Sequence, residues 1–429
     1  MRQVDAPAGQ AAAQTAEIAL FDFLSLDHVH LAFNEGYLRI VRAAYPYDHI
    51  SFHAIKGHVD RLSRCVADLG NIRFETCKPF ETSLGFSQHN PIAGRWAARQ
   101  CLISVARKIS GRSLRLAALL GVNANLLAVV GHGWPKMTAA PLHMILHGQL
   151  GEAMIWRSRN PFIRAGDLIS KLRRPLPAAV KLVALELGVK EAILEISPSL
   201  ASSIVILEHP ILISEWAKCS PLEPLGKIRI GFVGHARRAK GFDVFAELAR
   251  GCSRADIEFC AIGLSSPETD HLDIGRLARK PSQIPLPRQE YLKALAGVDL
   301  VCLPLHSRAY DFTGSGTVSD AIGALKPLIA FGSRTLQAIF AQYGRIGWLT
   351  EDRNSLFELV RTLDPVEFER QRSAWITNLK AIRRARSPQA LVQPYASAIF
   401  GTKPLGTSSR PRITAKSSRD TNASILLPK

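Results

Sequence analysis

Short apolar runs separated by longer amphipathic stretches recur along this chain, and they predict a protein built on parallel β-sheets. The runs are Glu17–Phe23, His49–Ala54 and Leu142–Leu146 in the first half, and Ile228–Val233, Ile257–Ile262 and Leu300–Pro304 in the second. They are rich in β-branched and other apolar residues, and they lack the polar alternation of a half-exposed strand. This pattern is typical of strands that are buried on both faces.

Helical periodicity fills the stretches between these runs. Helices are predicted at Asn34–Ala44, Arg95–Leu120, Lys181–Ile196, Phe242–Arg250 and Val318–Leu325. In the fourth of these, Phe242, Phe245, Ala246 and Ala249 fall on one helical face. The alternation of strand and helix occurs in both halves, which predicts an α/β chain with two domains.

Composition and proline positions set the expected domain boundaries. Residues 1–15 are rich in alanine and glutamine and predict a disordered leader without the apolar core of a signal peptide. The other expected parts are an N-terminal domain at 16–215, a linker at 216–226 that contains Pro221 and Pro224, a C-terminal domain at 227–400 and a basic disordered tail at 401–429.

The charge balance favours acidic partners. The formal net charge is +18, and the tail from residue 402 onward adds six cations and one acid, or +5. Phosphates, nucleic acid and anionic membranes are the partner classes that such a charge attracts. Nucleic acid is not expected here, because only the charge suggests it and no stacking platform or known motif accompanies it. The seven cysteines include no CxxC pair, which favours reduced core thiols and a reducing, cytoplasmic compartment.

Two loops carry the pattern of a phosphate site. The first follows the strand Ile228–Val233 and contains Gly234, Arg237, Arg238 and Lys240 before the next helix. A helix N-terminus offers unpaired N–H groups, and the basic side chains add full charges, so a diphosphate is the expected ligand.

The second loop lies about eighty positions further along the chain. Gly314, Ser315, Gly316 and Thr317 lead directly into the helix Val318–Leu325 and again present backbone N–H groups and hydroxyls. Because both loops follow strands of one predicted sheet, they can close on a single nucleotide-linked substrate.

This order of strands, loops and helices resembles the C-terminal half of GT-B glycosyltransferases. It is most similar to the large retaining group called glycosyltransferases group 1, and especially to its members in bacterial polysaccharide biosynthesis. In that group a Gly-Arg-x4-Lys-Gly motif holds the donor diphosphate, and Lys240 and Gly241 match its end. His235 stands at the arginine position, so Arg237 or Arg238 is expected to substitute.

A second motif of the group, Glu-x7-Glu, contacts the donor sugar. Asp320 occupies its second acidic position, whereas Phe312 stands at the first. The resemblance therefore leaves Asp311 or the turn 315–317 to contact the sugar. Variants with Ser-Gly-x3-Asp-Ala also occur in bacterial polysaccharide enzymes of this group.

The resemblance implies two Rossmann-like domains that face each other across a cleft. It places His147, at the end of the strand Leu142–Leu146, at the reaction centre together with Asp320, although a purely structural histidine remains an alternative. Asp27 and His28, after the first strand, become candidates for acceptor contact, and a plain polar turn is equally open. The final helix, Pro388–Phe400, is expected to cross back to the N-terminal domain.

The function implied is transfer of a sugar from a nucleoside-diphosphate sugar to a glycan or lipid-linked acceptor, with retention of anomeric configuration. No metal and no cofactor is expected, because basic side chains can stabilise the leaving diphosphate. The stretch Arg95–Leu120 carries six cations and no acidic residue. It is therefore expected either to bind an anionic membrane surface at the inner face of the membrane or to be a core helix with a solvated basic face. A catalytically degenerate GT-B protein that acts as a binding subunit is the alternative function.

Overall fold

Two parallel sheets make up the framework of the protein. A computed structural model describes residues 16–25, 27, 29–77, 91–148, 150, 151, 154, 159–164, 167–216, 226–305 and 307–400. The predicted leader, the predicted tail and most of the predicted linker lie outside these residues. None of the helices within them is both long enough and apolar enough to cross a membrane.

The N-terminal domain is built on a seven-stranded sheet of order β3-β2-β1-β4-β5-β6-β7. Its strands are β1 (Glu17–Asp22), β2 (His49–Ile55), β3 (Ile72–Cys77), β4 (Leu114–Leu119), β5 (Leu142–Leu146), β6 (Val180–Ala184) and β7 (Ile204–Ile206). All neighbouring strands pair in parallel. Helices cover both faces: in β1, Ala19 and Phe21 enter one hydrophobic core while Ile18 and Leu20 enter another. The predicted double burial of the strands follows from this arrangement.

The C-terminal domain is built on a five-stranded parallel sheet of order β12-β11-β10-β8-β9. Its strands are β8 (Ile228–Val233), β9 (Ile257–Ile262), β10 (Leu300–Leu303), β11 (Leu328–Phe331) and β12 (Gly347–Thr350). It too has a core on each face. The predicted α/β class with two Rossmann-like domains is therefore confirmed.

The helices connect and cover the strands. In the N-terminal half they are α1 (Leu31–Ala44), α2 (Lys56–Cys65), α3 (Pro91–Ile109), α4 (Ala124–Leu126), α5 (Pro161–Arg164), α6 (Leu168–Leu172), α7 (Leu187–Ile196) and α8 (Ile213–Trp216), with a π-helical turn at Leu127–Gly131. In the C-terminal half they are α9 (Phe242–Gly251), α10 (Arg288–Ala296), α11 (Ser307–Tyr310), α12 (Gly316–Gly323), α13 (Arg334–Tyr343), α14 (Arg353–Arg361), α15 (Pro365–Ala385) and α16 (Pro388–Phe400). Short 3₁₀ turns occur at Trp134–Lys136, Pro198–Leu200, Arg238–Lys240 and Pro267–Thr269.

Two predicted helices were wrong in part. The stretch Arg95–Leu120 is a helix only to Ile109; the chain then turns at Gly111, whose φ is 71°, and continues as β4. The stretch Lys181–Ile196 likewise splits into β6 and α7. In both cases a mostly buried strand lies within a few residues of a helix, and periodicity alone does not separate the two.

The last helix, α16, crosses back onto the N-terminal domain, as the resemblance implies. Leu391 and Tyr395 join one of that domain's hydrophobic cores. The Tyr395 hydroxyl shares hydrogen bonds with the Tyr37 hydroxyl and with His143 Nδ1, the latter at 2.8 Å. The sequence assigned residues 388–400 to the C-terminal domain, but their packing partners are N-terminal.

A buried ion pair also ties the crossover to the N-terminal domain. Arg386, between α15 and α16, binds both carboxylate oxygens of Glu186 at 2.7 Å, and it is 3.4 Å from Glu208 Oε1. Its backbone carbonyl accepts a hydrogen bond from Ile211 N. These contacts fix the domains relative to each other beside the cleft.

Candidate active site in the interdomain cleft

A cavity of about 320 Å³ lies between the two domains. Its N-terminal wall is formed by residues 30–33 at the start of α1, by His147 and Gly148 after β5, and by His209. Its C-terminal wall is formed by Lys240, Arg288, Tyr310, Thr313, Gly314, Ser315, Gly316 and Asp320. Most of these residues follow the carboxyl ends of parallel strands, the edge at which open α/β sheets bind their ligands.

Lys240 is held in the cavity by the first predicted loop. Gly234 has a φ of 102°, and a Cβ there would lie 2.8 Å from Lys240 Nζ, so only glycine lets the lysine side chain lie across the end of β8. Lys240 Nζ donates a hydrogen bond to Thr317 Oγ1 at 3.4 Å. Burial lowers the pKa of Lys240, and the negative charge of Asp320 opposes this effect. The lysine is therefore a desolvated cation that is available to an anionic ligand.

The second predicted loop forms the start of α12 on the same wall. Ser315 caps the helix, since its Oγ accepts a hydrogen bond from Val318 N at 3.4 Å. Gly316 is exposed and has open space around its Cα, whereas Thr317 is buried and its hydroxyl donates to Val233 O. Gly314, Ser315 and Gly316 line the cavity, and Thr317 supports Lys240 from behind.

Asp320 is part of a network of polar side chains that the sequence did not predict. Its Oδ2 accepts a hydrogen bond from the Tyr291 hydroxyl at 2.6 Å, and its Oδ1 lies 3.7 Å from Arg288. Arg288 pairs with Glu215 at 2.7 Å and stacks on the rings of Trp216 and Tyr291. Burial raises the pKa of Asp320, and Arg288 opposes that rise. Arg288 is thus the second cation of the C-terminal wall.

The other two predicted cations lie elsewhere. Arg237 and Arg238 are exposed and do not line the cavity. The backbone N–H of Arg238 donates to Glu268, and its guanidinium lies 3.1 Å from His271 Nε2. His235, at the motif's arginine position, donates from Nε2 to Ser265 O at 2.9 Å. The structure therefore brings Lys240, but neither arginine of this loop, to the cavity.

His147 forms the centre of the N-terminal wall. Its ring stacks on His30 with a centroid distance of 4.1 Å, and Phe33 meets it edge-on at 4.7 Å. Its Nε2 is buried and has no hydrogen-bond partner among the described residues. Burial holds the pKa of His147 well below its usual value, and the neighbouring His30 and His209 add to the effect. A neutral imidazole with an unpaired ring nitrogen therefore lines the cavity.

The histidines beside it are also kept neutral. Burial lowers the pKa of His30, although Asp22 opposes this, and it lowers the pKa of His209 to about 4. Asp22 shapes the loop after β1 by accepting hydrogen bonds from the backbone N–H of Ser25 and from Asn34 Nδ2. The N-terminal wall thus presents imidazole rings without charge near neutral pH.

The predicted acceptor contacts are not part of the cavity lining. Asp27 is exposed, and its carbonyl accepts a hydrogen bond from His58 Nδ1 at 2.9 Å. His28 lies outside the described residues. Their role in acceptor binding stays a prediction.

Asp311 and Phe312, at or beside the first acidic position of the Glu-x7-Glu motif, both make structural contacts. Asp311 Oδ1 accepts a hydrogen bond from Arg334 N at 2.8 Å and so supports the start of α13. Phe312 packs against the hydrophobic core of the N-terminal domain. Neither residue lines the cavity. In the described part of the chain, no three His, Cys, Asp or Glu side chains cluster as a metal site.

Sequence reasoning missed Arg288, His30 and the supporting Tyr291. Arg288 opens a helix after the proline-rich stretch 281–287, and no motif marks it. A signal was present for His30, because it shares a short polar loop with the two predicted residues Asp27 and His28.

No family model matches this sequence, and no curated protein sequence matches it significantly. Solved structures do match the fold. A structure of HepE from Anabaena in complex with UDP and glucose is 14% identical, covers 90% of this chain and 100% of its own, and gives a TM-score of 0.59. A glycosyltransferase from Rickettsia africae ESF-5 is 13% identical with a TM-score of 0.62, over 90% of this chain and 98% of its own.

A third similar structure is the lipopolysaccharide outer core galactosyltransferase WaaB, in its apo form. It is 12% identical, covers 90% of this chain and 99% of its own, and gives a TM-score of 0.56. These likenesses extend over both domains, and they show that the chain has the GT-B fold of glycosyltransferases.

Proposed function

We propose that this protein is a glycosyltransferase that moves a sugar from a nucleoside-diphosphate sugar to a glycan or a lipid-linked acceptor. One observation carries the proposal: Lys240 and the first turn of α12, both from the C-terminal domain, line a single cavity with His147 of the N-terminal domain. Helix N-termini and a lysine together are the groups that bind a diphosphate. The solved structures of similar fold include one with UDP and glucose bound.

In the proposed reaction, Lys240 and the α12 N-terminus hold the diphosphate while the bond to the sugar breaks. Negative charge then develops on the leaving oxygen, and preorganised N–H groups and the lysine ammonium stabilise it without reorganisation. This arrangement supports a metal-independent reaction, which a turnover assay with and without EDTA tests. Retention of configuration, as in the resembled group, is part of the proposal and is tested by the anomer formed.

We assign the sugar to the N-terminal side of the cavity. With its proton on the other ring nitrogen, neutral His147 accepts a hydrogen bond at Nε2 from a sugar hydroxyl, and the stacked His30 fixes the ring plane. Asp320, held by Tyr291 and Arg288, lies across the cavity from it and is placed to accept from hydroxyls of the donor. His147 is buried and Asp320 is partly buried, so the hydrogen bonds form in a site with little water, where they strengthen.

We place the reaction in the cytoplasm, and at the inner face of the membrane where the acceptor is lipid-linked. Six described cysteines are free thiols, a state that a reducing compartment maintains.

A second candidate function is a binding subunit that holds nucleotide sugars without transferring them. Phe312 favours it, because this side chain packs into the N-terminal core at the position where the resembled group has its first acidic residue. Under this alternative, nucleotide binding would remain and the sugar would not be consumed.

A thermal-shift screen with UDP-, GDP- and ADP-sugars tests the proposal. A ligand at a hundred times its Kd stabilises the folded state by about 2.7 kcal/mol, which is readily visible as a higher Tm. One nucleotide class should stabilise the protein, and Lys240→Ala should reduce this effect only in part, because the lysine acts mainly on the charge that develops as the bond to the sugar breaks. Stabilisation with release of nucleoside diphosphate supports transfer, stabilisation without any release supports the binding subunit, and no stabilisation by any of the three contradicts both.

A further inference from the structure

One side of helix α3 exposes apolar and cationic side chains together. Trp96 is 62% exposed and Ile103 is 43% exposed, and Arg95, Arg99 and Arg107 are exposed beside them. Because residues three, four and seven positions apart lie on the same side of a helix, these five side chains form one surface, the α3 face. Among the described residues, Trp96 and Ile103 are the only two exposed large hydrophobic residues that share a helix.

The opposite side of α3 fixes the helix in the N-terminal domain. Ala98, Cys101 and Val105 are buried in that domain's hydrophobic core. The α3 face therefore points away from the protein, and the exposure of Trp96 does not come from a loosely attached helix. The buried side of α3 agrees with the predicted alternative of a core helix that has a solvated basic face. The exposed Trp96, in contrast, has no packing role in the fold.

Positive charge surrounds this tryptophan. Helix α3 contains no acidic residue along its nineteen positions. Burial lowers the pKa of Lys171, at the end of α6, and the positive charges of Arg174 and Arg95 lower it further, with Asp167 as the opposing acid. Arg95 of α3 and Lys171 of α6 thus lie close enough for their positive charges to repel each other.

We propose that the α3 face docks on a membrane surface that contains anionic lipids. Tryptophan prefers the headgroup region of a bilayer, where its ring is buried and its N–H remains hydrated. Arg95, Arg99 and Arg107 reach the lipid phosphates, and each contributes a factor of about five to binding, so the three together contribute about 100-fold. A protein partner fits less well, because the apolar part of the face is limited to two side chains.

Sedimentation of the full chain with phosphatidylcholine vesicles, with and without phosphatidylglycerol, tests the proposal. Binding should require the anionic lipid, and the triple variant Arg95→Gln, Arg99→Gln, Arg107→Gln should bind about 100-fold more weakly. Trp96→Ala should also weaken binding, although it leaves the net charge unchanged. The assay contains neither donor nor acceptor, so its outcome is independent of glycosyl transfer.

Two matched control variants distinguish membrane binding through the α3 face from binding through the overall positive charge of the chain. The first changes the exposed Arg250, Arg276 and Arg345 of the C-terminal domain to Gln, and the second does the same for Arg410, Arg412 and Lys416 of the tail. Each removes three charges, and each should bind vesicles nearly as well as the parent chain. An equal loss in all three triple variants, or a loss confined to the tail variant, overturns the proposal. So does unchanged binding in both the α3 triple variant and Trp96→Ala, provided that their Tm equals that of the parent.

Discussion

Lys240 is the residue whose charge we expect to matter most for turnover. Its ammonium lies in the cavity, and within the described residues its hydrogen-bond partner is Thr317 Oγ1, at 3.4 Å. Loss of one preorganised donor at a developing negative charge costs about 10²–10³ in kcat, or about 2.7–4 kcal/mol. Methionine has nearly the same length and shape as lysine without the charge. We therefore expect Lys240→Met to lower kcat/KM by about 10²–10³-fold, mainly through kcat.

The same substitution should not destabilise the fold. Burial disfavours the charged amine, as its lowered pKa shows, so replacement by an apolar side chain should leave Tm unchanged or raise it. Release of nucleoside diphosphate measures the rate, and calorimetry measures Tm. Arg238→Met is the matched control, because this arginine is exposed and lies outside the cavity lining. A folded Lys240→Met protein that turns over as fast as the parent would refute the assignment of this charge to the leaving group.

Three further predictions concern the scaffold around the site. Arg386→Met leaves the buried carboxylate of Glu186 unpaired, so urea denaturation should show a loss of about 3–5 kcal/mol. Burial lowers the pKa of His143 to about 3, so the unfolded chain binds more protons and stability falls as pH drops below about 6.5. His143→Gln should then reduce the stability difference between about pH 7.5 and about pH 5.5 by about 1.4 kcal/mol. Gly241→Ala should lower Tm, because its φ is 75° and a Cβ would lie 1.9 Å from Pro304 O, whereas Gly316→Ala has open space and should keep Tm.

Each of these has an internal check. Adding Glu186→Leu to Arg386→Met removes the unpaired charge and should recover most of the lost stability. An unchanged pH dependence in the His143 variant would mean that this ring is hydrated in the folded state. Equal Tm values for the Gly241 and Gly316 variants would contradict the third prediction. They would show that the first loop rearranges to accommodate a side chain at Gly241, although its backbone lies close to Pro304 O.

The part of the site that could be predicted follows from parallel-sheet geometry. Lys240, the turn 314–316 and His147 each follow a short apolar strand, and carboxyl ends of parallel strands share one edge. Within one domain this rule is sufficient to bring loops eighty positions apart together. It also explains why Lys240 lies in the cavity, while Arg237 and Arg238 do not: the left-handed Gly234 and the 3₁₀ turn Arg238–Lys240 set their directions, and no sequence motif encodes that detail.

Arg288 is a residue of the site that could not be predicted from the sequence. Nothing in its local sequence separates it from the many other arginines of this basic chain. Its place in the cavity depends on Glu215 and Trp216 at the end of α8 and on Tyr291 one turn along its own helix. Contacts between segments about seventy positions apart belong to the tertiary structure, and the periodicity of the sequence does not predict them.

The two walls of the cavity differ in charge, and this difference gives the proposed donor a direction. Lys240, Arg288 and the α12 N-terminus lie on the C-terminal wall, whereas His30, His147 and His209 on the opposite wall have lowered pKa values and remain uncharged near neutral pH. An anionic diphosphate gains more from the cations than from neutral imidazoles, because Coulomb attraction acts only on the former. The sugar, which is neutral and rich in hydroxyls, is then left to the wall that offers lone pairs and aromatic rings. Protonation of the histidines would cancel this asymmetry, so the burial that keeps them neutral is part of how the cleft orients its substrate.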